Sequence, residues 1–385
     1  MKSLVYVHKR GNAPCLLTAL LLVAAGAFLT LFSLGFNTAR HSEHTQRRTQ
    51  TDDLTSYYAS HKAYSGGDEV RKNLVAECTE ETCRPPACVC ARTSHPGSFP
   101  LREVPMMVML SFDDHVNNLN FHHVQSLLDR RWKNPNKCPA TFTFFSCDVA
   151  TNYSYVRKLH TLGHEIGSHS VTHRFPIQWW TNASIQELTT EFSGQRDKLV
   201  QEAGVPHEAV KGIRVPFLMA SKDRVAKMIQ RSGFKYDSSL AAGSELVRGD
   251  PPWWPFTLDY PPRHLRIQGR YPGVWEVPLN LYDCFNGKGG YFMLDQCPMR
   301  NNTHEILGYL WRHFAYHYRS RAPMGLFMHV NWFNLNSASH EALTTFLDQL
   351  SIMPEVWLLS VSQVIQWIEQ PTPISELKRF KPWGC

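Results

Sequence analysis

Short apolar runs alternate with amphipathic stretches from Cys78 to the end of the chain. Between most of the apolar runs lie stretches with helical periodicity, which favours parallel strands joined by helical crossovers. About eight such units in about 300 residues predict an α/β fold of the (β/α) barrel type, distorted or incomplete. The predicted strands are 105–112, 139–145, 163–168, 211–215, 234–237, 274–279, 325–330 and 356–361, and the clearest predicted helices are 184–203, 222–232, 303–319 and 338–351.

We take residues 78–385 as one domain. The residues before it have a different distribution of apolar and polar positions. Residues 15–36 carry no charge, and a run of 22 residues is long enough to span a bilayer. We expect a signal anchor preceded by a short cytoplasmic tail (1–14), with a cleaved signal peptide as the alternative. Residues 37–77 are polar and without apolar periodicity, which predicts a flexible stalk. The chain is therefore expected to be a single-pass membrane protein with a lumenal or extracellular domain, or else a secreted protein.

Cysteine usage supports an oxidising compartment. Four of the ten cysteines cluster at Cys78, Cys83, Cys88 and Cys90 without any CxxC pair, so disulfides are favoured over structural zinc. Nine cysteines remain without Cys15, so at least one thiol is unpaired or forms an intermolecular disulfide. Three glycosylation sequons, at Asn152, Asn182 and Asn301, agree with secretory passage.

Charge narrows the possible partners. The formal net charge is +7, and the basic residues are spread along the chain without forming a stripe. Nucleic-acid binding is therefore not favoured.

Polar residues recur at the ends of the predicted strands. In barrels of this type the carboxyl ends of the strands form the active-site face, so residues distant in sequence should converge there. They are Asp113 and Asp114 after the first strand, His169 after the third, Arg214 and Asp237 at the ends of the fourth and fifth, and His329 near the end of the seventh.

Asp114, His169 and His173 have the composition of a three-ligand metal site, which leaves positions open for water and substrate. An HxxxH pair is a weak signal among 19 histidines, but the acidic pair at a strand end strengthens it. The i, i+4 spacing predicts that both histidines lie on one side of a helical turn. Zinc suits these ligands, and cobalt or another divalent ion is the alternative.

The remaining polar residues suit hydrolysis. Asp113 is the candidate general base, and Arg214 would hold it ionised. His329 is the candidate general acid, with Asp237 as its orienting partner.

Aromatic residues supply candidate substrate contacts. Backbone N–H groups near Phe217 are candidates for stabilising an oxyanion, and Phe217 itself for contacting substrate. Trp254 and Trp332 are candidates for stacking on carbohydrate rings.

These motifs resemble those of the NodB-like polysaccharide deacetylases, carbohydrate esterase family four, and among them the animal chitin deacetylases. The resemblance runs from about Cys78 to Cys385 and implies a distorted (β/α) barrel, a zinc-type metal, and removal of acetyl groups from N-acetylglucosamine units of chitin. It implies the same roles for Asp113 and His329, and chitin or its oligomers as partner of a monomeric enzyme. The matching segments are SFDD at 111–114, HSVTH at 169–173, RVPF at 214–217, MH at 328–329 with Trp332, and the subgroup segments CRPPACVC and KPWGC.

Two departures from the family pattern keep alternatives open. His115 stands where the family has glycine or alanine, which favours a non-catalytic chitin-binding or matrix-organising protein as one rival. Another rival is a deacetylase of a different acetylated glycan. Cys147 stands where no cysteine is expected, so it is the candidate for the unpaired thiol.

Overall fold

The structure, a computed structural model, describes residues 78–79, 81–242 and 250–385. The predicted tail, apolar segment and stalk, which together span 1–77, lie outside the described residues. In the part that is described, no helix is both long enough and apolar enough to cross a membrane.

The core of the fold is a curled sheet of mainly parallel strands. Its order is β12-β1-β2-β3-β4-β5-β8-β7, with β13 also paired to β1, and each pairing is parallel except β7 with β8. The strands are β1 Met106–Asp114, β2 Thr143–Ser146, β3 Glu165–Ser168, β4 Gly212–Ile213, β5 Tyr236–Asp237, β6 Ala241–Ala242, β7 Phe256–Thr257, β8 Trp275–Glu276, β9 Leu279–Asn280, β10 Tyr282–Asp283, β11 Gly290–Tyr291, β12 Met324–His329 and β13 Val356–Leu359.

Helices follow most of the sheet strands, as a succession of βα units requires. They are α1 Phe121–Leu128, α2 Tyr153–Thr161, α3 Gln178–Asn182, α4 Ile185–Ala203, α5 Asp223–Ser232, α6 Thr303–Tyr318, α7 Trp332–Leu335, α8 Ser337–Leu350, α9 Val361–Glu369 and α10 Ile374–Leu377. All eight predicted strands and the four clearest predicted helices are present at the expected places.

The barrel is distorted and open. The strand order ends at β12 on one side and at β7 on the other, so the described strands do not close into a ring. A side chain joins β10 to β12 instead. The buried Tyr282 hydroxyl donates to the Gly325 carbonyl (2.6 Å) and accepts from the Phe327 N–H (3.0 Å). The predicted fold class is therefore confirmed.

Local sequence explains why the elements form where they do. β1 reads MMVMLSFDD and is buried along nearly its whole length, as expected for a strand with neighbours on both sides. α4 begins at a capping box between Ser184 and Glu187. It ends at Gly204, which takes the left-handed conformation (φ 69°) that favours glycine.

Disulfides account for most of the cysteines in the described residues. The pairs are Cys78–Cys90, Cys83–Cys88, Cys138–Cys385 and Cys284–Cys297. Cys147 is a buried free thiol. The predictions of disulfides and of Cys147 as the unpaired cysteine are both confirmed.

Candidate active site and metal centre

The predicted residues converge because their strands lie side by side and in register. Asp113 on β1 pairs with His329 on β12, and Asp114 pairs with Ser146 on β2. His169 directly follows β3, whose Ser168 is bonded in register to β4. The parallel strands thus bring these side chains to one edge of the sheet.

Asp114, His169 and His173 form a compact cluster of potential metal ligands. The Nε2 atoms of His169 and His173 lie 3.5 and 3.2 Å from Asp114 Oδ1. All three offer a ligand atom within 4.8 Å of one another. The structure therefore brings the predicted ligands together, although their role as ligands stays a prediction.

Three observations show that these residues fit a divalent ion. Two ligands at 2.0–2.2 Å from a tetrahedral zinc lie about 3.3–3.6 Å apart, close to the separations seen here. Asp114 Oδ1 is buried and accepts no hydrogen bond. The His169 Nδ1 atom bonds to the Arg214 carbonyl (2.7 Å), which leaves Nε2 directed at Asp114.

The backbone around the cluster differs from the predicted helical turn. Residues 169–173 form a loop after β3, so that prediction is wrong. Asp114, Ser170 and His173 have φ values of 78°, 78° and 43°, in the left-handed region that non-glycine residues rarely adopt. Strained backbone of this kind is common at functional sites, where the surrounding structure imposes the geometry.

Asp113 is held by Arg214, as predicted. Arg214 is fully buried, and its Nη1 donates to Asp113 Oδ1 (2.7 Å) and to the Ser111 hydroxyl (2.8 Å). Its Nε and Nη2 donate to the carbonyl and hydroxyl of Ser238. A buried guanidinium with this many partners fixes the position of the Asp113 carboxylate.

The orienting partner of His329 is Asp295, so the prediction of Asp237 is wrong. His329 Nδ1 bonds to Asp295 Oδ2 at 2.7 Å, and His329 Nε2 lies 3.8 Å from Asp114 Oδ2. Burial lowers the pKa of His329, but the carboxylates of Asp295 and Asp114 outweigh it and raise that pKa to about 10. The imidazole is therefore held in the proton-donating form.

The same charges act on Asp114. Burial raises its pKa, but His329 and the two neighbouring histidines outweigh burial and hold the pKa well below its ordinary value. Asp114 is therefore ionised, as a carboxylate ligand must be.

Asp237 lies instead in a buried acidic pair. It is on β5, opposite Glu276 of β8, and the Ser239 hydroxyl donates to it. Burial raises the pKa of Asp237 to about 7 and the pKa of Glu276 well above its ordinary value. Asp237 is therefore engaged with Glu276 and Ser239, and no hydrogen bond joins it to His329 in the described residues.

Asp295 had no recognisable signal in the sequence. It lies in a 3₁₀ turn, Leu294–Gln296, between β11 and α6. The Cys284–Cys297 disulfide is two residues further along and ties this turn to β10. The only sequence clue was the nearby cysteine, which does not identify an orienting carboxylate.

The predicted aromatic contacts have different outcomes. The Phe217 ring lies 4.6 Å from the His173 ring, centroid to centroid, so it borders the cluster. Trp254 is 1% exposed and packs on Trp367, so the prediction that it binds substrate is wrong. The Trp254 ring is part of the hydrophobic core. Trp332 begins α7 three residues after His329 and is 4% exposed, and its contact with substrate stays a prediction.

The two unusual residues lie close to the site without joining the cluster. His115 is half-buried, and it is not among the groups of potential ligands found in the described residues. The Cys147 N–H donates to the Asp114 carbonyl (3.3 Å), and burial raises the pKa of the Cys147 thiol. That thiol is therefore kept neutral and is a poor nucleophile.

Comparison with known proteins agrees with the geometry. The polysaccharide deacetylase family profile matches residues 103–236. Chitin deacetylase 8 of Bombyx mori is 31% identical over 328 residues, which cover 81% of this chain and 82% of that protein. Chitin deacetylase 1 of Bombyx mori is 32% identical over 327 residues, 81% of this chain but 60% of that longer protein.

Solved structures are also similar. A crystal structure of a putative polysaccharide deacetylase from Mycobacterium smegmatis has a TM-score of 0.49 and 17% identity, covering 71% of this chain and 93% of that one. A probable polysaccharide deacetylase from Pseudomonas aeruginosa PAO1 has a TM-score of 0.49 and 14% identity, covering 69% and 91%.

Proposed function

Since this chain belongs to the polysaccharide deacetylase family, we propose that it hydrolyses the N-acetyl groups of N-acetylglucosamine units in chitin and releases acetate. The observation that carries the proposal is the Asp114, His169 and His173 cluster, with Asp113 and His329 beside it. The two Bombyx mori relatives, named as chitin deacetylases, support the choice of chitin.

Asp113 acts as the general base in this proposal. The carboxylate accepts a proton from the water that attacks the acetamide carbonyl carbon. Arg214 donates to Oδ1 of that carboxylate and holds it in place. Removal of a positioned general base slows such reactions by about 10²–10⁴-fold.

His329 acts as the general acid. Its Nδ1 is bonded to Asp295, so Nε2 is the nitrogen that faces the cluster and carries the transferable proton. As the C–N bond breaks, that proton passes to the departing amine of the sugar. Acetate and a glucosamine unit result.

A divalent ion held by Asp114, His169 and His173 would polarise the acetamide carbonyl and make water more acidic. Zinc is our proposal for that ion, because two imidazoles and a carboxylate are ligands that zinc prefers. Cobalt suits the same donors and is the alternative.

The chain's location is part of the proposal. Four disulfides agree with an oxidising compartment, so we propose that residues 78–385 lie in the lumen or outside the cell. We also expect the protein to act as a monomer. The apolar segment 15–36 would anchor it as a single-pass membrane protein, with secretion as the alternative. The three sequons would make it a glycoprotein.

The test is acetate release from a panel of acetylated glycans by the purified protein. Chitin oligomers are expected to give acetate, and Asp113→Asn should lose about 10²–10⁴-fold in turnover while it keeps its metal. His169→Ala should lose both metal and turnover. Asp129→Asn is the matched control, since Asp129 is exposed directly after α1 and accepts a hydrogen bond from Gln125 (2.6 Å).

The panel also separates the rivals. If acetate is released from another glycan but not from chitin, that glycan and not chitin is the substrate. Chitin binding without acetate from any glycan would favour a non-catalytic, matrix-organising protein.

A further inference from the structure

An exposed aromatic ring lies next to the candidate metal cluster. Phe175 is 51% exposed and follows β3 in the loop that also carries His173. Its ring centroid is 4.9 Å from that of Phe217, and the Phe217 centroid is 4.6 Å from that of His173. A continuous aromatic surface therefore leads from a candidate ligand out to solvent.

Exposure alone would not indicate a site, because single exposed apolar side chains are ordinary. The distribution is more informative. Four of the exposed large apolar side chains in the described residues lie in segments that leave the carboxyl ends of sheet strands, namely Leu119, Val149, Phe175 and Leu335. Phe175 is the aromatic one among these four, and its ring contacts that of Phe217, which in turn contacts the ring of His173.

The backbone that carries this ring is held firmly. The buried carboxylate of Glu191 accepts the N–H groups of Val171 (3.0 Å) and Thr172 (2.8 Å). The Trp180 indole N–H donates to the Arg174 carbonyl (3.1 Å). A ring presented on a fixed backbone loses little conformational entropy when a ligand covers it.

The surface beside the ring suits a neutral ligand. The Arg174 guanidinium lies 3.4 Å from Glu191 and 4.6 Å from the Trp179 ring centroid, so both its charge and its flat face are engaged. Acetylated sugar rings are neutral, and they present apolar C–H faces that pack well against aromatic rings.

We propose that Phe175 is a binding platform for the sugar next to the one that reacts. This rests on the proposed function, since the reacting acetamide must reach the cluster while the glycan chain continues past His173. Such a platform would favour glycan chains over single sugars, because only a chain places a second sugar ring beyond the reacting one.

Phe175→Ala tests the proposal. With the N-acetylglucosamine pentamer, KM should rise by about tenfold while kcat is nearly unchanged, because the ring contributes to binding the chain and not to the reaction. Phe175→Trp should restore KM. Ile352→Ala is the control, because Ile352 is 83% exposed and precedes β13, at the opposite edge of the sheet.

Several results would overturn the platform. They are an unchanged KM in Phe175→Ala, a fall in kcat of the same size as the rise in KM, and failure of Phe175→Trp to restore KM. A lowered melting temperature for Phe175→Ala would indicate a structural role instead.

Pentamer binding to the Asp113→Asn protein, measured by calorimetry, separates this proposal from the proposed function. If no glycan yields acetate but Phe175→Ala weakens pentamer binding in that background, the reaction is wrong and the platform stands. If Phe175→Ala does not change pentamer binding in that background, Phe175 is not a binding platform, and this conclusion holds for any reaction that the protein catalyses.

Discussion

At the scale of single residues, the site depends on conformations that the sequence did not reveal. The motif residues were found because acidic and histidine side chains follow strand ends, and the parallel sheet brings those ends together. The left-handed backbone of Asp114, Ser170 and His173 has no such signal, because none of them is glycine. Tertiary contacts impose that geometry.

The pairing of His329 with Asp295 predicts a change in pH dependence. A general acid works only while protonated, so turnover falls as pH rises through the pKa of His329. Asp295→Asn removes the negative charge that raises this pKa. The alkaline fall in kcat should therefore move to lower pH, and a pH profile of acetate release measures it.

Asp237→Asn is the matched control for the same measurement. Asp237 makes no hydrogen bond with His329, and its hydrogen-bond donor is Ser239. The alkaline fall should stay in place, even if the neutral side chain changes overall activity. A shift caused by Asp237→Asn and not by Asp295→Asn would contradict the assignment.

At the scale of secondary structure, the apolar pattern predicts the long elements but only some of the short ones. The two-residue strands β4, β5 and β8 are predicted, whereas β6, β7, β10 and β11 are not. β1, β12 and the four long helices have clear apolar patterns. The segment between β5 and α6 contains two-residue strands from β6 to β11, which are too short to carry a period. Asp295 lies in that segment, so no apolar pattern identifies it as the partner of His329.

The close packing of β4 against β5 predicts that Gly212 tolerates no side chain. A Cβ at Gly212 would lie 1.9 Å from Tyr236 Cζ. The Tyr236 ring is buried, and its hydroxyl donates to Glu165 (2.9 Å), so it has little freedom to move away. Gly212→Ala should destabilise the fold by about 1–3 kcal/mol in urea unfolding.

Gly308→Ala provides the comparison. Gly308 lies within α6, and the nearest atom to an added Cβ is 3.9 Å away. Alanine in a helix interior is favoured over glycine by about 0.5–1 kcal/mol, so this variant should be slightly more stable. Equal stability of the two variants would argue against the close packing of β4 and β5.

At the scale of the whole molecule, a disulfide ties the end of the chain to the loop before β2. Cys138 and Cys385 are 247 residues apart, and nearby the Asn136 amide donates to the Trp383 carbonyl (2.8 Å). Trp383 packs against Trp357 of β13, 4.9 Å between ring centroids. The sequence indicated disulfides, but pairings over such a distance depend on the folded chain.

The length of the loop that each disulfide closes predicts which disulfide stabilises the fold most. Closing a loop of this size lowers the entropy of the unfolded chain by the equivalent of about 5 kcal/mol, against about 2 kcal/mol for the loop between Cys83 and Cys88. Replacing Cys138 and Cys385 by alanine should therefore lower the melting temperature more than replacing Cys83 and Cys88. A larger effect of the short loop in calorimetry would contradict this prediction.

We propose that one divalent ion at Asp114, His169 and His173 supports deacetylation, and a zinc titration measures that dependence. Chelated protein would receive increasing zinc while acetate release from the chitin pentamer is measured. We expect no release without zinc, and a rise that levels off at one ion per chain. Acetate release that persists after chelation, or that is absent at every zinc content, would contradict a metal-dependent deacetylase.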